Sequence, residues 1–182
     1  MLRVENSAFV VGDGSQKPKG FLSLPAWAVA GTYERFALEQ RLSGVSGGIT
    51  GDSVKLLQND LIEDYQSGAV FAMKRATFGQ VVTLKDGQGQ YLLDPRSLKQ
   101  GDTKVLLGKD VIFMDDMPAI AADALAVAYG NFQFGYTIVD RIGFRVIRDE
   151  VTAKPFIKFY TTKRTGGNVT NYESIKILKL AV

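Results

Sequence analysis

An α+β fold is what this sequence predicts, from two different hydrophobic periods and a composition suited to one shared core. Residues 125–164 alternate with period two: Tyr136, Ile138 and Asp140 against Thr137, Val139 and Arg141, then Phe144 and Val146 against Arg145. Half-buried strands show that pattern. Val54, Leu57, Leu61 with Ile62, and Tyr65 recur instead at helical spacing, the stripe of a helix laid on a sheet. With 46% hydrophobic and 23% charged residues among 182, the composition is ordinary for a globular chain, long enough for one core or for two lobes that share one.

In chain order, Leu2, Glu5 and Phe9, with Val4, Ala8 and Val11, fall at helical spacings, and Gly12-Asp13-Gly14 ends that helix. The glycines and Lys17 that follow invite comparison with a phosphate-binding loop. Such a loop needs Gly-Lys-Ser/Thr running into a helix, whereas Lys17 meets Pro18 and is held extended. A structural loop is expected there. In residues 24–48 Trp27, the only tryptophan, reads as a packing anchor, and Val45-Ser46-Gly47-Gly48 as a flexible connection with a domain boundary near Gly48. Thr50 is placed to cap the next helix, with Asp52 and Ser53 in its first turn. Residues 69–73 read as a short strand and 75–84 as a helix stopped by Asp86-Gly87-Gln88-Gly89, which lacks the alternating ligands and closing Glu of a calcium loop. Two strand segments are expected over 105–108 and 111–114. Gly143 should break the meander into separate strands, and Pro155 should open the next, with Ile157 and Phe159 facing opposite to Lys158 and Tyr160. A last strand over 174–181 should point Ile175 and Ile177 inward and Lys176 outward.

The chain contains no cysteine and no histidine. Disulfides, thiol nucleophiles, zinc fingers and histidine general bases are therefore excluded, and with them most common hydrolase constellations. One acidic group remains: Asp115, Asp116 and Asp123 have the chemistry to hold Mg2+ or to act as acid and base. Adjacent strand residues point to opposite faces, and Asp115-Asp116-Met117-Pro118 has turn chemistry, so a structural role is favoured. A metal-dependent enzyme and a nucleic-acid-binding module are the alternative function classes. The net charge is +3, divided unevenly: residues 141–182 carry nine Lys and Arg against three Asp and Glu, a balance of +6 that leaves −3 on residues 1–140. Unlike patches of this kind favour head-to-side contact between copies. The longest apolar runs fall far short of the roughly 20 residues of a spanning helix, and nothing at the N-terminus reads as a signal peptide. The protein is expected to stay in the compartment where it is made, with no membrane partner and no cofactor.

Several segments together carry a resemblance. Tyr129-Gly130-Asn131-Phe132, Gly135-Tyr136-Thr137-Ile138-Val139-Asp140-Arg141, Val146-Ile147-Arg148-Asp149 and Pro155-Phe156-Ile157-Lys158-Phe159-Tyr160 with Thr162-Lys163-Arg164 resemble the C-terminal region of HK97-type major capsid proteins of tailed bacteriophages or prophages. Upstream, Ala8-Phe9-Val10-Val11-Gly12-Asp13-Gly14 with Pro18-Lys19-Gly20-Phe21-Leu22, and Met73-Lys74-Arg75-Ala76-Thr77 with the segment from Leu84 to Leu92, point the same way. The resemblance implies an HK97-like α+β fold with axial and peripheral lobes, built from mixed and antiparallel sheets with flanking helices. Residues 1–47 and 127–169 would be peripheral; 48–126 and the returning strand 170–182 would be axial. The first helix would be the end of a long helix spanning the peripheral lobe, so the chain would be a C-terminal portion of the subunit.

The implied function is structural, not enzymatic. Copies would assemble through pentamers and hexamers into an icosahedral virion shell around double-stranded DNA, without sequence-specific binding, in the host cytoplasm, with scaffolding and portal proteins as further partners. Asp140, Arg141, Arg145, Arg148, Lys158, Lys163 and Arg164 are the candidate intersubunit residues. Some relatives cross-link subunits through a lysine and an asparagine beside a glutamate; that constellation has no match here, and cross-linking is not expected.

Overall fold

The computed structural model describes residues 2–92, 104–152 and 154–182. Helix α1 (Leu2–Val11) leads into a 3-10 turn (Phe21–Ser23) and strand β1 (Glu39–Leu42). Helices α2 (Gly51–Asn59) and α3 (Glu63–Gln66) precede β2 (Val70–Met73) and α4 (Arg75–Val82). The strands β3 (Val105–Leu106), β4 (Lys109–Phe113) and β5 (Leu125–Gly130) follow, then the single turn α5 (Phe132–Gly135). The chain closes with two long strands, β6 (Tyr136–Asp149) and β7 (Lys158–Val169), and with β8 (Ile175–Lys179). Six strands make one mixed sheet in the order β1-β8-β5-β2-β4-β3, while β6 and β7 pair only with each other. Among the described residues no helix is long and apolar enough to cross a membrane.

The six-stranded sheet is covered on both faces, which is why β5 reads as an unbroken apolar run. Val127 and Tyr129 of β5, Phe71 and Met73 of β2 and Leu178 of β8 pack on one side against Val54, Leu57 and Leu61. Ala72, Ala128, Ile175 and Ile177 point to the other side, against Val10 of α1, Phe21, Leu22 and Leu38. Gly130 ends β5 where the chain before β8 crosses it: a Cβ there would lie 2.1 Å from the Ser174 carbonyl oxygen. No side chain fits at that crossing.

Thr50 caps α2 as its chemistry predicts: its hydroxyl accepts from the Ser53 amide at 3.1 Å and the Ser53 side chain reaches back to the Thr50 amide. Elsewhere the structure differs from the expected pattern. The helical stripe breaks after Asn59 into two helices, so Val54, Leu57 and Leu61 are buried but Ile62 is exposed. Gly143 does not end a strand; it lies inside β6, between register shifts that the strand absorbs as bulges. Pro155 sits in the turn before β7 instead of opening it. β1 and the whole of β5 join the six-stranded sheet, each paired with β8.

Lys176 is the largest departure, at 3% exposed. Alternation does turn it away from Ile175 and Ile177, yet that side is closed by residues 24–48. The Glu39 carboxylate forms an ion pair with the ammonium group, and the Trp27 ring lies 4.3 Å from it. Gly31 donates its amide to the other Glu39 oxygen at 2.9 Å, and Trp27 donates Nε1–H to the Ala37 carbonyl at 2.9 Å. Trp27 is thus the anchor its apolar setting suggests, for a cover over a buried charge. Removing one partner of a buried pair strands the other, at about 3–5 kcal/mol. Glu39→Ala is expected to lower urea-unfolding stability by that amount, and Glu39→Ala/Lys176→Met to recover a measurable part of it.

Candidate assembly site

β6 and β7 form a ribbon of 14 and 12 residues in which Val169 alone is fully buried. A hairpin with no covering layer is marginal in water. This one nonetheless exposes Phe144, Val146 and Phe159 at 59–65%. Large contiguous apolar exposure marks an interaction site.

The register sorts its side chains into two faces. Directly opposed residues share a face: Tyr136 with Val169, Ile138 with Gly167, Asp140 with Thr165, Val146 with Thr161, Arg148 with Phe159. This face looks onto α1 and is the inner face. The outer face carries Val139 with Gly166, Ile142 with Arg164, Arg145 with Thr162, Ile147 with Tyr160, and Asp149 with Lys158. The two bulges of β6, at Asp140/Ile142 and Ile142/Arg145, each insert one residue, so alternation is restored beyond them.

The inner face is held only at its root. The Tyr136 ring meets Phe9 of α1 edge to face at 6.0 Å, and its hydroxyl donates to the Lys19 carbonyl at 2.8 Å. The Lys19 amide in turn donates to Gly167 at 2.8 Å. A Cβ at Gly167 would lie 2.6 Å from the Tyr136 hydroxyl, so any side chain there would displace the Tyr136 ring. Burial pushes the Tyr136 phenol up to about 12. One helical turn earlier on α1, Glu5 contacts Lys163 at 2.5 Å, and Asp140 lies 3.4 Å from the same ammonium group and also holds the Thr165 hydroxyl. The Glu5 carboxylate, with Asp140 assisting, raises Lys163 above the ordinary lysine range. A cleft of about 850 Å3 runs between α1, the ribbon root and the end of β4, lined by Phe9, Phe113, Tyr136 and Ile138 with Asp115 and Asp116.

The seven candidate residues therefore separate. Asp140 and Lys163 bind within the chain, through Glu5, and Arg148 pairs with Glu150 at 2.7 Å in the tip. Arg141 stands in the first bulge, and Arg145, Lys158 and Arg164 occupy the outer face; all four are exposed and have no charged partner among the described residues. Glu5, Phe9 and Tyr136 were the functional residues that sequence reasoning missed, because their partners lie more than 100 positions away. Asp123 pairs with Lys179 at 3.0 Å instead of joining Asp115 and Asp116. Among the described residues no three metal-ligating side chains gather.

The architecture is a covered mixed sheet with a long, largely exposed two-stranded ribbon beside it. The comparisons give its class. The phage capsid family profile matches residues 1–180, and the chain belongs to that family. Two solved structures described as the capsid of the empty and of the native GTA particle, computed with C5 symmetry, each share 40% identity with it at TM-score 0.91 over 99% of this chain. The chain spans 62% and 61% of the length of those two chains. A structure described as Gordonia phage Cozz matches at 14% identity and TM-score 0.58, over 97% of this chain and 58% of that one, which shows the fold alone. The fold is HK97-like. No curated protein matches the chain.

The Tyr136 environment predicts a pH dependence. The folded-state pKa lies above the ordinary value of 10, so the contribution is complete below pH 10 and is lost as pH rises toward 12. Tyr136→Phe is expected to cost about 1 kcal/mol at pH 8 for the lost hydrogen bond. The difference between wild type and variant in urea unfolding should shrink from pH 10 upward.

Proposed function

We propose that this chain is part of a structural subunit of a phage or prophage capsid, many copies of which tile a closed icosahedral shell around double-stranded DNA. The observation that carries the reading is the ribbon, held on α1 only at its root and exposed along its outer face. The family supports it, as do two GTA capsids solved with C5 symmetry, an arrangement of repeated copies. In this reading the body sheet with α2 and α4 is the axial lobe, and α1 with the ribbon is the peripheral lobe. The outer face of the ribbon meets a neighbouring subunit. Such a subunit needs several modest surfaces closing by symmetry instead of one reactive pocket. The chain acts in the virion, after assembly in the host cytoplasm with scaffolding and portal proteins, and it encloses DNA without reading its sequence.

The test is light scattering with electron microscopy of the purified chain across concentration and salt. Pentamers, hexamers or closed particles are the expected products. A compact monomer that binds Mg2+ tightly, with binding lost in Asp116→Ala, would overturn the structural reading.

A further inference from the structure

The outer face of the ribbon combines charge and apolar surface in a defined order. Arg145 and Arg164 are diagonal neighbours around the bulges, with Arg141 beside them; Val139 lies toward the root, Ile147 and Tyr160 toward the tip. Like charges crowded on one face destabilise a ribbon unless a partner neutralises them. Among the described residues nothing in the chain does so. A fitting partner therefore brings carboxylates flanked by apolar side chains. A nucleic-acid backbone would satisfy the arginines but leave Val139, Ile147 and Tyr160 without a counterpart.

The body of the same chain carries such a surface. Glu63 and Asp64, in α3, are exposed and have no charged partner among the described residues. They follow Ile62, itself 43% exposed, and on their other side the Tyr65 ring meets Phe134, 59% exposed, at 6.5 Å. Apolar, acidic, apolar on this shoulder complements apolar, basic, apolar on the ribbon.

We infer that the outer face of the ribbon docks on a second copy of this chain, with Arg145 and Arg164 meeting Glu63 and Asp64. The inference rests on the shell reading and names the surfaces that join its copies. Ribbon and shoulder are different surfaces, so the contact is heterologous: each copy gives one and receives the other, and a rotation that closes makes a ring. Arginine forks and carboxylates fix orientation as well as attraction.

Sedimentation velocity of the full chain at low and high salt, with charge reversal on each surface, tests it. Arg145→Glu/Arg164→Glu and Glu63→Arg/Asp64→Arg are each expected to weaken self-association at least tenfold, and an equimolar mixture of the two to restore hetero-association. Because the chain has no cysteine, Asp64→Cys/Arg164→Cys should also give, on oxidation, an intermolecular disulfide ladder that neither single variant gives. Oligomers that form in the reversed variants as in wild type, without the ladder, would overturn this pairing and leave the shell reading intact. A wild-type chain that stays monomeric at every concentration overturns the pairing too, since both surfaces are present in it. Lost affinity for a double-stranded DNA fragment in Arg145→Glu/Arg164→Glu, with unchanged self-association, would assign the face to nucleic acid instead.

Discussion

A two-stranded ribbon has two faces and no second layer of its own. In the body of this protein the large residues of the central strands β2, β5 and β8 find cover, from α2 and α4 on one side and from α1 and the 3-10 turn on the other. Past the root of the ribbon that cover stops. The stability of the isolated chain therefore resides in the body, while the projection of the ribbon depends on a small set of contacts around Tyr136. The close approach of Lys19 to Gly167 and the packing of Tyr136 over the same glycine fix the angle at which two long strands leave a sheet that does not include them.

Charge is distributed to match. On the inner face, Lys163 and Glu5 are each 15% exposed and satisfy one another, with Asp140 as a second acceptor. That contact ties α1 to the ribbon beside the Phe9–Tyr136 packing, so these charges serve the chain's own packing. Outer-face cations are exposed and unmatched, and isolated exposed pairs contribute only about 0–1 kcal/mol each. Exposed charges act through orientation and the rejection of wrong neighbours more than through raw affinity.

Much of the fold was legible because local chemistry and tertiary need agree. The Thr50 cap, the Gly12 stop of α1, the short strand over 70–73 and the turn at Asp86 all follow from residue types at fixed offsets. Alternation along β6 and β7 was also legible, strand by strand. What it does not contain is the pairing of the two strands. Outside the bulged stretch around Ile142, even-numbered residues of β6 share a face with odd-numbered residues of β7, a fact of the Tyr136–Val169 register. Seven charged residues on two strands thus read as a single recurrent face, although Asp140, Arg148 and Lys163 lie on one and Arg145, Lys158 and Arg164 on the other.

Lys176 shows the same limit from the opposite direction. Its place between Ile175 and Ile177 correctly turns it away from them, and a lysine on the far face of a strand is ordinarily solvated. Whether that face meets water depends on residues 24–48, whose irregular sequence gives no periodic signal. There the chain brings a carboxylate, an indole and a backbone amide to one point, the carboxylate 137 positions from the lysine. A period identifies which side of a strand a residue occupies; only the long-range pairing determines what lies on that side. For the ribbon, α1 lies on the inner side at the root, and the outer side stays exposed among the described residues.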